Sequence, residues 1–273
     1  MTFTASNLFV ATWFDLGKIE PFHRFKASGG GTLTIVNSLW ASRVDAPDDN
    51  YCIDYTAVVV KDTAGSAPQG EMQRLNAFAG GTYTVDTAFS AAVASGDTIA
   101  ISNADIPLME MYAAANRALQ DMGDVQNVDA TLVLSTASDR YTLPTGTKMD
   151  FPIRVEYSDG TIHPRIEVPN WRVTADGYLW IPYVEPGTVY LTYVGPHAEL
   201  TTYNSQISED LHPSGVIAAT TAKALQWLNG AQGGSTPYSL QRENKAMNDQ
   251  ASFEVKSPTK KLTRGAKWFV RGA

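Results

Sequence analysis

Short runs in which apolar and polar positions alternate dominate the first part of the chain. Residues 32–36, 51–61, 73–78, 82–85 and 98–101 carry the β-branched and aromatic side chains of half-buried strands. Between them stand clusters that favour turns: Asp45-Ala46-Pro47-Asp48-Asp49-Asn50, residues 62–68, Ala79-Gly80-Gly81 and Ser95-Gly96-Asp97. Strands recurring at intervals of about ten residues predict a small sandwich or barrel. Upstream, residues 1–28 mix Phe3, Phe9, Trp13, Phe14, Phe22 and Phe25 with few turn signals, and Gly29, Gly30 and Gly31 then break the chain.

The period changes after Asp105. Leu108, Met111, Tyr112, Ala115, Leu119 and Met122 recur at helical spacing, an apolar stripe of the kind that packs a core. Asp105 is the expected N-cap, Pro107 suits the opening turn, and Gly123 supplies the stop. Strand patterns resume over 131–135, 140–143, 151–157, 161–168, 171–174, 178–181 and 188–194. Asp159-Gly160 and Asp176-Gly177 each sit between alternating segments, a strong hairpin signal. A second helix is predicted from His212-Pro213 to Asn229, with Val216, Ile217, Ala224, Leu225 and Leu228 inward and Gly230 at its end. After a Gly-rich connection, residues 239–253 read as a mostly polar helix, which buries little of itself and has to be held by neighbours.

The expected fold is therefore mainly β with a few helices (α+β): sandwich or barrel-like units, helices and an extended basic C-terminal arm. The expected domains are an accessory β domain over 1–103, a helix–β–helix domain over 104–238, and a polar helix with a docking arm over 239–273.

Charge changes the picture at one end. Residues 241–273 hold eight Lys or Arg against three Asp or Glu, a net of +5, while the preceding 240 residues hold thirteen against twenty-five, a net of −12. No acid follows Val255, and Lys256, Lys260, Lys261, Arg264, Lys267 and Arg271 share the arm with Trp268 and Phe269. Opposite charge steers assembly and fixes register, and aromatic side chains beside Arg dominate interface energetics. A solvated tail is the alternative, since chain ends are often poorly ordered, but such a tail has little use for a Trp-Phe-Val run. These eight residues are taken as the candidate assembly interface. Charged residues make up only 18% of the chain, below the typical value of about 25%. That deficit fits either a β-rich composition or surface buried against neighbours.

The same residues argue against most catalytic classes. The chain has no Gly-x-Ser-x-Gly, no phosphate-cradling Gly-x-x-x-x-Gly-Lys, no His-Glu-x-x-His and no Gly-x-Gly-x-x-Gly. His23, His163, His197 and His212 are scattered, none within ligand spacing of another. Asp45, Asp48, Asp49 and Asn50 form the densest oxygen-donor cluster, but it lacks the Gly and distal Glu of an EF-hand, and turns use the same residues. The single cysteine, Cys52, allows no intramolecular disulfide and reads as a small buried hydrophobe. Trp171, Tyr178, Trp180 and Tyr183 could stack on sugars, although their alternation with Leu179 and Ile181 favours use in core and sheet packing. A net charge of −7 works against duplex binding. The opening stretch carries Asp15 and no charged leader, and no run is long enough to span a bilayer, so a soluble chain made in a cytoplasm is expected. No enzyme activity, cofactor or metal is expected.

One resemblance adds to this reading. The helix Met111-Tyr112-Ala113-Ala114-Ala115-Asn116-Arg117-Ala118-Leu119-Gln120-Asp121-Met122 is followed by Leu132-Val133-Leu134 and Arg140-Tyr141-Thr142-Leu143-Pro144. Hairpins carrying Trp171-Arg172-Val173 and Gly177-Tyr178-Leu179-Trp180-Ile181 come next, then Gly187-Thr188-Val189-Tyr190-Leu191 and an Ala-rich helix. In the order of these elements, somewhat under half the chain resembles the neck or head-to-tail connector (adaptor) proteins of tailed bacteriophages. The resemblance implies a non-enzymatic virion protein, assembled in the host cytoplasm as a ring of about twelve identical subunits. Its implied partners are further copies of itself, the portal protein, tail or fibre proteins, and genomic DNA that passes without sequence-specific binding; no membrane is implied. The β domain over 1–103 departs from minimal adaptors, which leaves room for another virion role in the tail, in fibre anchoring or in head decoration. A carbohydrate-binding module or glycan hydrolase is the rival of a different class.

Overall fold

The computed structural model describes residues 3–19, 23–41, 48–65, 68–135, 138–143, 152–158, 160, 165–182, 186–231 and 237–256. The described residues form two compact units, one within 3–122 and 198–256, the other within 123–197. Among the described residues, antiparallel sheets and five helices make the chain mainly β with a few helices.

The first unit contains one seven-stranded sheet. Its strands are β1 (Arg24–Lys26), β2 (Gly29–Gly30), β3 (Thr34–Val36), β4 (Thr56–Lys61), β5 (Met72–Ala79), β6 (Thr82–Val85) and β7 (Thr98–Ser102), in the order β1-β7-β4-β5-β6-β3-β2. β5 turns the sheet through a corner. Met72, Gln73 and Arg74 pair with β4, the rest of the strand pairs with β6, and the register shifts between Leu75 and Ala77. An extra residue at such a bulge bends a strand and raises its twist. Both halves of the sheet consequently face one core of Ile35, Ala57, Val59, Leu75, Phe78, Tyr83, Val85, Ile99 and Ile101, joined by Trp40 from α2 (Ser38–Ala41) and by Cys52. The end strands β1 and β2 follow one another along the chain and do not pair together, so no closing ladder makes the sheet a barrel.

Four helices complete this unit: α1 (Ala5–Asp15), α3 (Leu108–Asp121), α4 (Pro213–Ala231) and α5 (Pro237–Lys256). α4 packs against the other three. Its sequence explains why, because Gly215, Ala218, Ala219, Thr220, Thr221, Ala222 and Ala224 are small and buried, so neighbouring helices approach on several sides. α1 lies between α4 and β4 and covers the outer face of that strand, which is why Val58 is as buried as Ala57 and Val59. The first N–H groups of α1, at Ala5 and Ser6, donate to the carbonyls of Ser205 and Tyr203.

Two expectations change here. Residues 1–28 contain a helix, α1, in addition to aromatics, and its buried positions Ala5, Leu8, Phe9, Thr12 and Trp13 recur at helical spacing. Asp105 does not cap α3. That helix begins at Leu108 with Pro107 in the cap position, because the Asp105 carboxylate is engaged by Lys18 Nζ and by Asn103 Nδ2 at 3.1 Å.

The second unit is a two-sheet sandwich. β8 (Asp124–Asp129), β9 (Val133–Leu134), β11 (Arg154–Ser158), β12 (Ile166–Glu167) and β15 (Gly187–Pro196) form one sheet, and β10 (Arg140–Thr142), β13 (Arg172–Val173) and β14 (Tyr178–Trp180) form the other. Leu134, Tyr141, Val155, Leu179, Ile181, Val189 and Leu191 make its core. In sequence this sandwich is inserted between α3 and α4, which pack on each other in the first unit. The compact units divide at 122/123 and 197/198. Among the described residues, no helix is long and apolar enough to cross a membrane.

Two measurements probe this architecture. In the β5–β6 hairpin, Gly80 and Gly81 have φ of 54° and 80°, and a Cβ on Gly81 would lie 2.6 Å from Asn37 O and 3.0 Å from Ala41 N. Gly81→Ala is expected to destabilise by about 2 kcal/mol or more in urea unfolding, and Gly80→Ala, where a Cβ meets nothing, by about 1 kcal/mol. Asp97 is buried and accepts from Thr63 N (2.8 Å), Thr63 Oγ1 (2.6 Å) and Ala94 N (2.7 Å). Burial works to raise its pKa, but the hydrogen bonds outweigh it and hold the carboxyl below the usual range. The stabilisation is therefore present above the unfolded pKa of about 3.9 and is lost as pH falls through the lower folded value. Unfolding midpoints measured between pH 2 and 7 should fall less steeply on the acid side for Asp97→Asn than for the parent.

Candidate functional site

The expected interface begins where the described structure ends. Lys256 is the last residue of α5, and its side chain lies outside the described residues, as do Lys260, Lys261, Arg264, Lys267, Trp268, Phe269 and Arg271. What the structure describes is the helix that precedes these residues in sequence, α5. α5 is polar on most of its surface and is held by specific contacts: Asn229 Nδ2 donates to Glu243 Oε2 (2.9 Å), and the Arg242 guanidinium donates to the Asp15 carbonyl (2.8 Å). Ala246 is buried, and the Phe253 ring stacks on His212 at 5.4 Å and 16°. Gly215 of α4 leaves room for this approach, since a Cβ there would sit 3.4 Å from Phe253 Cβ. The last turn of α5 thus lies beside the start of α4.

Beside α1 the same unit carries a half-open groove of about 320 Å³. Val10, Ala11, Phe14, Ile19, Val58, Val60 and Ile217 supply its apolar lining; Ser6, Asn7, Asp15 and Arg24 supply the polar groups. Phe14 is 60% exposed, a large apolar ring at the groove with no full cover. Asp15 forms no salt bridge among the described residues. Burial pushes its carboxyl pKa up, Lys245 on α5 pulls it down, and Asp249 adds to the rise. A sequence signal for the groove existed in hindsight: Asn7, Ala11, Phe14 and Asp15 fall on the face of α1 opposite its buried stripe.

The second unit places three of the four aromatics read from the sequence. Leu179 and Ile181 point into the core, but Tyr178 and Trp180 face outward, with Tyr178 40% exposed. Trp180 pairs across the strands with Arg140 on one side and Arg172 on the other. Its Nε1 donates to Asp139 Oδ2 (2.9 Å), and the Arg172 guanidinium lies 4.5 Å over its ring. Alternation predicted the two faces: Leu179 and Ile181 take the core, while Trp180 packs on the sheet against Arg172. Trp171 packs against the core as expected, and Tyr183 lies outside the described residues.

Several other polar groups have structural uses. Tyr51 Oη lies 3.2 Å from His23 Nε2 and 3.1 Å from Tyr83 Oη, and burial raises both phenol pKa values, that of Tyr83 to about 12. Burial likewise pushes the Cys52 thiol to about 12, so it stays protonated at neutral pH. Buried Glu71 accepts from the backbone N–H of Ser90 (2.8 Å) and from its hydroxyl. Asn50, at φ 63°, uses its side chain to accept from Phe78 N (3.1 Å) and so belongs to a turn; Asp45 lies outside the described residues. Among the described residues, no group of three His, Cys, Asp or Glu is placed to hold a metal ion. His197 is buried, His212 takes part in the α5 contact, and His163 lies outside the described residues. No protein-family model matches the chain, and no curated protein matches it.

If α5 is held as described, Glu243→Ala leaves the buried Asn229 amide without its acceptor. The expected cost is about 1–2 kcal/mol, with faster amide exchange over α5 and unchanged protection in the seven-stranded sheet.

Proposed function

We propose that this protein is a structural component of a tailed-phage virion: a ring-forming head-to-tail connector subunit that links the portal to the tail and continues the DNA channel. The observation that carries the reading is a division of labour within the chain. A packed helical layer holds α5 by its neighbours, and beyond Lys256 follow seventeen residues with five Lys or Arg, no acid and a Trp-Phe-Val run. A segment of that composition, following a helix packed on α4 and attached to an acidic body, is suited to docking on another protein surface. The order helix, β unit, helix, with α3 and α4 packed together, supports the same reading, and so does the structural use found for the buried polar groups. In a channel, an acidic wall repels passing DNA and so keeps it from sticking.

One observation favours a second reading, a carbohydrate-binding module, since Tyr178 and Trp180 face outward from their sheet. Arg172 covers a face of the Trp180 ring, where a sugar would stack, and this ranks the connector first.

The test mixes the full chain, and a chain lacking residues 257–273, with the portal of the same phage at modest salt, viewed by negative-stain electron microscopy. Rings of about a dozen subunits on the portal are expected for the full chain. The truncated chain should keep its melting temperature, because α5 ends at Lys256, but should dock weakly. A full chain that stays monomeric beside the portal overturns the reading.

A further inference from the structure

The outward face of the β10–β14–β13 sheet carries side chains that the sandwich core does not use. Arg140 and Arg172 are the register partners of Trp180 on the two flanking strands, and Thr142 is the partner of Tyr178. Cross-strand partners share a face, so these five side chains stand together. Trp180 is fixed, because its Nε1 donates to Asp139 Oδ2 (2.9 Å) and the Arg172 guanidinium lies 4.5 Å over its ring. Arg140 is loosely paired with Asp176 at 3.6 Å, and both side chains are more than half exposed. Arg172 has no salt bridge among the described residues, so its fork, held over the indole, keeps N–H donors for another group. Tyr178 is 40% exposed and has no ring contact or phenol hydrogen bond among the described residues. It follows the same face of β14 as Trp180, roughly 7 Å away along the strand.

We propose that this face binds a carboxylate-bearing polysaccharide, a chain of uronic acids, with a sugar ring on Tyr178 and a carboxylate on Arg172. The charges of the face select that chemistry. Arg172 lacks an acceptor, while Asp139 and Asp176 can take further donors. One uronic acid ring supplies both, a carboxylate for the guanidinium fork and hydroxyls for the acids, and its apolar C–H face covers the open phenol ring. A single-stranded nucleic acid brings closely spaced phosphates against two acids, and an acidic peptide brings carboxylates without the hydroxyl donors. This rests on the carbohydrate-binding reading and not on the connector, on which it would be an additional function. It gives that reading a ligand class and a stacking residue, Tyr178, in place of the Trp180 ring that Arg172 covers.

The test is isothermal titration of the full chain with polygalacturonate, its fully methyl-esterified and therefore neutral form, a neutral glucan, oligo(dT) and poly-glutamate. Polygalacturonate should bind about tenfold more tightly than its ester, the worth of one charge-assisted hydrogen-bonded pair. Arg172→Gln should remove that preference, while Tyr178→Ala should weaken the acid and the ester alike by about tenfold through lost stacking. Arg165→Gln, whose guanidinium lies over Tyr190 in the other sheet, should change neither. Equal affinity for acid and ester, or binding of the glucan alone, overturns the uronate assignment and keeps the carbohydrate reading. Tighter binding of oligo(dT) or poly-glutamate overturns the sugar, and binding unchanged in both Arg172→Gln and Tyr178→Ala overturns this face as the site. No binding of any of the five overturns the inference and the carbohydrate reading together, and leaves the connector to the portal assay.

Discussion

Burial of α4 is the constraint on which the first unit depends. A helix built from Gly215, Ala218, Ala219, Thr220, Thr221, Ala222 and Ala224 has little apolar area per residue, so no single neighbour could stabilise it. It is stable because α1, α3 and α5 pack on it together, and small side chains permit that close approach. Each neighbour gains in turn. α1 joins the helices to the outer face of β4, α3 is tied to α4 by the Lys223–Asp121 salt bridge at 2.6 Å, and the polar α5 acquires a reason to be helical. Asn116 of α3 holds the segment leading to α4 by bonding both backbone groups of Leu200, at 2.8 and 3.1 Å.

The two β cores meet a different requirement. In the first unit a single sheet encloses its own core by bending at β5, where the bulge lets one strand serve two halves. In the second, two short sheets share a core of seven buried side chains, and the Tyr141 hydroxyl, accepting from Ser135 N at 3.2 Å, fixes the start of β10. Short strands such as β9, β12 and β13 gain little from their ladders, so the sandwich relies on this core and on the long β15, which pairs with β8, β9 and β11.

Several polar groups are committed to holding the first unit together. Glu71, Asp97, Asn50 and the Tyr51–Tyr83 pair each hold a turn or a core edge together. The α1 groove, with Phe14 and Asp15 exposed in its lining, takes no part in these contacts.

Strands over 82–85 and 98–101, the α3 stripe and the extent of α4 were legible in the sequence, because alternation and helical period are local properties that burial only reinforces. The basic arm was legible too, since charge needs no fold to be counted. Three features were decided by tertiary structure alone. α1 is helical because the turns at 203–205 satisfy its first N–H groups and α4 and β4 bury its stripe. β8 is a strand although its Gln and Asn are polar, because β15 offers it a ladder. Trp180 faces outward because Leu179 and Ile181 fill the core of the sandwich, and alternation, which separates two faces, carries no information about which of them the rest of the chain will cover.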